Sequence, residues 1–150
     1  LERPNFNNWL NSNFNIELDV PSDGGHLSLK LKQPSTNQSF NLIDMGVGFS
    51  QVMPILIQLW SIIYKKRKVH SSNQTYPLIY AIEQPELHLH PKLQAKLADI
   101  FMLAVKDASH NKIDLRLILE THSETMINRF GNQIAKNLFH NADINILIFL

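Results

Sequence analysis

The chain has 150 residues, of which 44% are apolar and 18% are charged, with a formal net charge of +1 and no cysteine. The length predicts one domain, and the apolar fraction is enough for an ordinary core. The low charge excludes a disordered, highly charged class and any whole-surface attraction to nucleic acid or membrane, although a local basic patch remains open. Disulfides and thiolate metal sites are excluded. Since no apolar run approaches the roughly 18 residues that span a bilayer, we expect a cytoplasmic protein without a membrane partner.

Both ends of the chain suggest a segment of something larger. The first residue is not Met, residues 1–4 resemble no signal peptide, and the final residues 144–150 are apolar. We therefore expect the 150 residues to be a piece of a longer protein.

The first third of the chain, residues 1–43, predicts an antiparallel strand region. Residues 1–13 are rich in Asn and are typical of a loop or a short helix. Apolar and polar residues then alternate over 14–20 and again over 27–32, around a Gly-rich turn, which predicts a β-hairpin. A third short strand is expected at 38–43, after the turn at 34–37.

A glycine-containing loop comes before the first long apolar segment. It reads Gly46-Val47-Gly48-Phe49-Ser50-Gln51, and a segment of helix length, 52–64, follows. Ser50 is expected to be the N-cap, with Pro54 in or near the first turn. Such a loop offers backbone N–H groups to an anion, but a glycine turn before a core helix explains the same residues. The basic run 65–68 suits a helix C-terminus or a nucleic-acid patch.

An apolar strand ending in polar residues follows at 78–82. The run predicts a strand buried on both faces, as in a parallel sheet. It ends in Glu83 and Gln84, followed by Pro85 and Glu86. A carboxylate at the carboxyl end of such a strand lies where open α/β sheets bind ligands, and where an acid holds phosphate-bound Mg²⁺ in P-loop NTPases. A strand that simply ends in a polar loop is the alternative interpretation.

The last third of the chain alternates helices and strands. Pro91 suits the first position of a helix, which is expected to run to residue 108, and a buried strand is expected at 115–119. Thr121 and Glu124 have capping-box spacing, which predicts a helix ending at Gly131 and then a short helix over 133–139. With a third buried strand at 144–150, this order predicts right-handed parallel βαβ units and an α/β fold.

Three motifs in order carry a resemblance to a known family. They are the Gly-x-Gly-x-Ser-Gln loop before a helix, the acid-ending strand followed by Pro-Glu-Leu-His-Leu-His-Pro (85–91), and the strand followed by Thr-His-Ser (121–123). Over roughly residues 40–150 the chain resembles the C-terminal half of an ABC-type ATPase head, within the OLD-like AAA ATPase group that is related to SMC and DNA-repair ATPases. The resemblance implies a partial P-loop NTPase fold, with ATP and Mg²⁺ as cofactors and a homodimer formed around ATP.

The resemblance gives the glycine loop and the histidine-rich loop roles in the dimer. Gly46, Gly48, Ser50 and Gln51 match the signature loop, which in the family contacts the γ-phosphate of ATP held by the other protomer. Residues 87–91 match the D-loop, which in the family lies across the dimer interface. On this division, residues 44–150 carry all of the recognisable motifs.

The resemblance also assigns the chemistry at the strand ends. Glu83 falls on the Walker B acid, which holds Mg²⁺ through water, and Gln84 falls on the catalytic glutamate that polarises the attacking water. His122 matches the switch histidine, whose imidazole can donate to a phosphate oxygen or to the attacking water.

Two features depart from the family pattern. These residues contain no Gly-x-x-x-x-Gly-Lys-Ser/Thr, the phosphate-binding Walker A loop that lies N-terminal to this region in the family, so we expect the 150 residues alone to be inactive. Gln84 is an amide and cannot act as a base. Hydrolysis is therefore expected to be slow, or to use Glu86 or a substrate-assisted route.

Three functions remain open from the sequence. The first is an ATPase module that drives a linked or partner effector, with nuclease-associated DNA processing or phage defence as its setting. The second is a non-hydrolysing nucleotide-sensing scaffold, which Gln84 favours. The third is a metal-dependent nuclease using His88, His90 and Glu86. Separately, His122 has a simpler interpretation as a polar residue at the start of a helix.

Overall fold

A computed structural model describes residues 5–23, 26–35, 38–41, 47–65 and 77–148. Gly46, the basic residues 66–68, and parts of the predicted turns and strands (24–25, 36–37, 42–43 and 149–150) lie outside the described residues. The helices are α1 (Phe6–Phe14), α2 (Val47–Tyr64), α3 (Pro91–His110) and α4 (Glu124–Ala135), with a 3₁₀ turn at Asn141–Asp143. The strands are β1 (Glu17–Asp19), β2 (Ser22–Asp23), β3 (His26–Leu27), β4 (Lys30–Gln33), β5 (Gln38–Asn41), β6 (Leu78–Glu83) and β7 (Leu115–Glu120).

The N-terminal region forms the expected antiparallel hairpin, extended to three strands. β1 pairs with β4 and β4 pairs with β5, both antiparallel, so that Leu31 lies opposite Leu18 on one side and Phe40 on the other. The short strands β2 and β3 pair between them. The segment left open between loop and helix forms α1, which includes Phe14, expected to begin the first strand, and ends where Asn15 takes a left-handed cap conformation with φ 56°.

The second sheet is the predicted parallel pair. β6 and β7 run in parallel from Leu78 opposite Leu115 to Glu83 opposite Glu120, with α3 connecting them. The expectation that β6 is buried on both faces is wrong in the described chain: Ile79 is 61% exposed, and Ile118 on the neighbouring strand is 58% exposed. An apolar run indicates a strand but not how many of its faces are covered.

Helix α2 begins earlier than the sequence predicts. Ser50 lies inside the helix rather than at its N-cap, and Pro54 lies well inside it rather than in the first turn. The reason is tertiary: Gly48 is buried against the backbone of His88 and the side chain of Leu89, so packing extends the helix beyond the start that local capping signals mark. Near its other end, the Tyr64 hydroxyl donates to the Asp107 carboxylate on α3, at 2.5 Å.

Helix α4 differs from its prediction at both ends. Its N-cap is Ser123 and not Thr121, since the Ser123 side chain accepts from the Met126 N–H. It continues through Gly131 to Ala135, so the separate helix expected over 133–139 does not form. Arg129 and Gln133, on either side of the glycine, both bond to Asp99 of α3, and these contacts offset the roughly 1 kcal/mol that a helical glycine costs.

The third strand of the parallel sheet, expected at 144–150, is not found over the described residues 144–148. Leu147 and Ile148 are 79% and 80% exposed. A strand needs a neighbouring backbone to bond to, and in the described chain β6 and β7 pair only with each other.

One buried cluster joins the two sheets and the helices. It includes Trp9 from α1, Leu31 from β4, Leu56 from α2, Phe101 from α3 and Met126 from α4. The cluster therefore fixes the positions of α2, α3 and α4, the helices that come before and after β6 and β7 in the chain. Among the described helices, none is long and apolar enough to cross a membrane.

Candidate functional site

The carboxyl ends of β6 and β7 place two acids side by side. Glu83 and Glu120 are the last register partners of the parallel pair, and both are exposed. Adjacent strands lie about 4.8 Å apart, and like charges directly opposite each other on a sheet are unfavourable. A divalent cation held through water relieves that repulsion, and carboxylate oxygens are the ligands that Mg²⁺ prefers. The donor set at this edge therefore fits Mg²⁺.

The chain reverses tightly directly after Glu83. Gln84 has φ 42° and His88 has φ 59°, a left-handed conformation that costs a non-glycine residue roughly 1–2 kcal/mol. The Gln84 N–H donates to the Glu120 carbonyl at 2.8 Å, and the Leu87 N–H donates to the Gln84 carbonyl at 3.2 Å. Gln84 is therefore anchored beside the two acids.

Glu86 connects the loop after β6 to the loop after β7. Its side chain is 6% exposed, and its Oε1 accepts from the His122 backbone N–H at 2.9 Å. Its Oε2 is buried and has no hydrogen-bond partner among the described residues. In this arrangement the carboxylate of Glu86 holds the backbone of His122, while the His122 residue itself is exposed.

Gln94, near the start of α3, makes a second connection between the same loops. Its Nε2 donates to the Leu89 carbonyl at 3.0 Å, and its Oε1 accepts from the Ser123 hydroxyl at 2.7 Å. The Ser123 oxygen also accepts from the Met126 N–H as the cap of α4, and the Ser123 N–H donates to the Thr121 hydroxyl. The residues on either side of His122 are thus held by side chains.

Gly48 brings the start of α2 against the loop after β6. A Cβ at this position would lie 2.7 Å from the His88 carbonyl oxygen and 2.8 Å from Leu89 Cδ2. Ser50 is half-buried and Gln51 is exposed on the same helix. The glycine loop and the histidine-rich loop, recognised separately in the sequence, therefore meet in the fold.

The structure groups most of the predicted site residues at one edge. Glu83, Gln84, Glu86 and His122 come from the ends of β6 and β7 and are linked through backbone or side-chain bonds. Gly48, with Ser50 and Gln51 beyond it on α2, contacts the neighbouring loop, and Gly46 lies outside the described residues.

The histidines of the loop after β6 do not form a metal cluster in the described chain. His88 and His90 are exposed, and His90 Nδ1 accepts from the Lys92 N–H at the N-terminus of α3. No group of three or more His, Cys, Asp or Glu residues able to hold a metal occurs in the part of the chain that is described. The metal-dependent nuclease interpretation gains no support from these contacts.

The roles of Gln94 and Ser123 were not predicted from the sequence. Gln94 is 29 residues from Ser123, and Glu86 is 36 residues from His122, so no local pattern indicates either contact. Ser123 had a signal, since Ser is a preferred N-cap and directly precedes the helix, but the capping-box spacing of Thr121 suggested an earlier start.

The parallel pair β6 and β7, connected by α3, gives the domain an α/β fold. The chain matches the family described as AAA ATPase domain over residues 2–127, and it belongs to that family of ATP-binding ATPase domains. Comparison with curated proteins finds no match.

A solved structure with a similar fold comes from work described as structural biochemistry of ATP-driven dimerization and DNA-stimulated activation of SMC ATPases. The TM-score is 0.54 at 15% sequence identity, over 83% of this chain and 69% of that chain. At this identity the similarity concerns the fold, which is that of a partial P-loop NTPase.

Proposed function

We propose that this domain binds ATP with Mg²⁺ and hydrolyses it as part of a head that dimerises around the nucleotide. The head would drive a linked or partner effector in nuclease-associated DNA processing or phage defence. Family membership supports the nucleotide, and the ATP-driven dimerisation and DNA stimulation described for the similar SMC ATPase support the dimer and a DNA partner. The resemblance of residues 85–91 and 121–123 to the OLD-like group supports the effector.

The acid pair at the ends of β6 and β7 is the observation on which the proposal rests. Mg²⁺ in ATPase sites keeps several waters and is held by one or two carboxylates together with the phosphates. Glu83 takes the role of the principal carboxylate, and Glu120, its register partner, adds a second negative charge. Mg²⁺ held by these carboxylates would supply positive charge next to the phosphates.

Gln84 and His122 act on either side of this acid pair in the proposal. Gln84, anchored to Glu120 through its backbone, orients the attacking water through its amide, for which glutamine has precedent in GTPases. His122 presents its exposed imidazole to a phosphate oxygen. By the resemblance to the signature loop, Ser50 and Gln51 would contact the γ-phosphate held by the second protomer, whereas Gly48 packs against His88 and Leu89.

A non-hydrolysing nucleotide sensor is the second candidate, and the placement of Glu86 favours it. Gln84 cannot take a proton, and a substitute base must come within hydrogen-bond reach of the attacking water. Glu86 is buried and already accepts from the His122 N–H. This arrangement suits a residue that holds the loop better than one that accepts a proton.

Single-turnover hydrolysis and nucleotide binding by the full-length protein test both candidates. Glu83→Gln is expected to weaken Mg²⁺-dependent binding and turnover, whereas Glu124→Gln, the same charge change at an exposed position on α4, should leave both unchanged. Gln84→Glu supplies a base and should raise the rate by about tenfold or more, equivalent to about 1.4 kcal/mol off the barrier.

The outcomes separate the candidates. Binding without hydrolysis in the wild type, weakened by Glu83→Gln, would establish the sensor. If neither Glu83→Gln nor His122→Ala changes binding or turnover, the ATPase proposal is wrong.

A further inference from the structure

We propose that Gln94 is a positioning residue that sets the location of His122 by joining the loop after β6 to the loop after β7. The inference rests on the proposed function in that it gives His122 a part in the reaction. The joining itself is a structural claim that is tested independently of activity.

The amide of Gln94 is suited to this connection because it holds a donor and an acceptor in one planar group. The donor bonds to the Leu89 carbonyl, and the acceptor receives the Ser123 hydroxyl. Gln94 itself belongs to α3, a helix of 20 residues whose inner face includes the buried Leu97 and Phe101. A rigid element therefore fixes the spacing between two loops that are far apart in sequence.

Glu86 makes the other connection, and it is limited to one bond. Oε1 accepts from the His122 N–H, while Oε2 has no hydrogen-bond partner among the described residues. The Glu86 bond fixes the loop after β7 at the backbone of His122. The Gln94 bond to Ser123 adds a second fixed point one residue further along the chain, and two points define an orientation where one does not.

Gln94→Met is the sharpest perturbation, because methionine keeps the length of the side chain and removes both hydrogen bonds. Gln133→Met is the matched control. Gln133 is also a half-buried glutamine between α3 and α4, donating to Asp99 at 2.7 Å, and it belongs to neither loop. A purely structural effect of losing an amide in this interface should appear in both variants as a similar fall in Tm.

Residue-resolved amide hydrogen exchange tests directly whether Gln94 joins the two loops. We expect Gln94→Met to speed exchange at His122 by about tenfold, because local opening of the loop becomes easier, and to leave Met126, whose N–H bonds to the Ser123 hydroxyl, close to wild type. Gln133→Met should leave His122 exchange unchanged.

Steady-state kinetics of the full-length protein measure how losing the Gln94 bonds affects kcat and KM. Gln94→Met is expected to lower kcat by about tenfold with KM within about twofold, since a misplaced imidazole removes stabilisation present only in the transition state. Gln133→Met should keep kcat within about twofold of wild type. If Gln94→Met does not fold, Gln94→Glu, which keeps the acceptor for Ser123 but replaces the donor to the Leu89 carbonyl by a charged oxygen, should show the same separation of kcat from KM.

Unchanged exchange at His122 in the folded variant would overturn the proposal. Faster exchange with an unchanged kcat in an active protein would overturn it as well, since Gln94 would then have no part in placing a reacting group. Absence of hydrolysis in the wild type would count against the proposed function, and the exchange data alone would then decide whether Gln94 joins the loops.

Discussion

Replacing Gly48 by alanine tests the contact between α2 and the loop after β6. The added Cβ would lie 2.7 Å from the His88 carbonyl oxygen and 3.0 Å from the His88 carbonyl carbon. Because these are backbone atoms in a turn where His88 already has φ 59°, the neighbour cannot move away as a side chain would. Forced overpacking costs about 1–3 kcal/mol, while alanine in a helix returns at most about 1 kcal/mol relative to glycine.

We therefore expect Gly48→Ala to lower the free energy of unfolding by about 1–2 kcal/mol. Urea denaturation monitored by circular dichroism measures the change, which should appear as a lower midpoint at an unaltered m-value. Gly131→Ala is the control: this glycine lies in α4 with nothing within 4 Å of an added Cβ, so the same substitution should stabilise the protein by about 0.5–1 kcal/mol. If both alanines stabilise the protein to the same extent, α2 does not approach the loop as closely as described.

Three further predictions concern the helix contacts and nucleotide binding. Arg129→Ala removes a bidentate ion pair with Asp99 at 2.7 and 2.9 Å. Because both groups are partly exposed, the free energy of unfolding in urea denaturation should fall by about 0.5–1 kcal/mol. Arg116→Ala is the control: its exposed carboxylate partner is two residues away, so no measurable change is expected, and an equal loss of stability in both variants would contradict this prediction. Burial and donation to Asp107 raise the pKa of Tyr64 above its ordinary value. The stabilisation linked to this shift is complete below pH about 10 and is lost as the pH rises through the folded-state pKa. The difference in unfolding free energy between wild type and Tyr64→Phe should therefore shrink as the pH rises above about 10, and a constant difference would argue against the bond to Asp107. Calorimetry on the 150 residues alone should show weak or no ATP binding, because the Walker A loop is absent from them, and micromolar binding would contradict this expectation.

The burial of Glu86 bears on how hydrolysis could proceed with Gln84 at the position of the family's catalytic glutamate. From the sequence, Glu86 was the nearest acid available to replace the missing catalytic glutamate. The structure instead shows its carboxylate bonded to the His122 N–H in a buried position. The chain thus has an amide where the resemblance leads us to expect a base, and an acid that holds the adjacent loop.

The sequence by itself determined which segments form several of the strands and where α3 begins. The alternation around residues 14–32 predicted the antiparallel pairing of β1 with β4, and the apolar runs at 78–82 and 115–119 predicted β6 and β7. Pro91 marked the first residue of α3. These predictions succeeded because periodic burial and proline geometry act over a few neighbouring residues, so the information needed is local.

Local signals also predicted that the segments at the ends of the two strands lie together. An acid at the end of β6 and a Thr-His-Ser segment directly after β7 must lie at the same edge, because the two strands are parallel and adjacent. The register of Glu83 with Glu120 confirms that geometry, although the sequence alone left the role of Glu120 open.

Tertiary structure decided the ends of elements and the contacts between loops. Packing of Gly48 against residues 88–89 moved the start of α2, and the bonds to Asp99 on either side of Gly131 carried α4 past the residue expected to end it. The apolar run 144–150 did not form a strand over 144–148, because backbone pairing depends on a neighbour that no local pattern supplies. For the same reason Glu86 and Gln94 became visible as the connections to His122 and Ser123 only in the folded chain, where a helix brings together residues 29 to 36 positions apart.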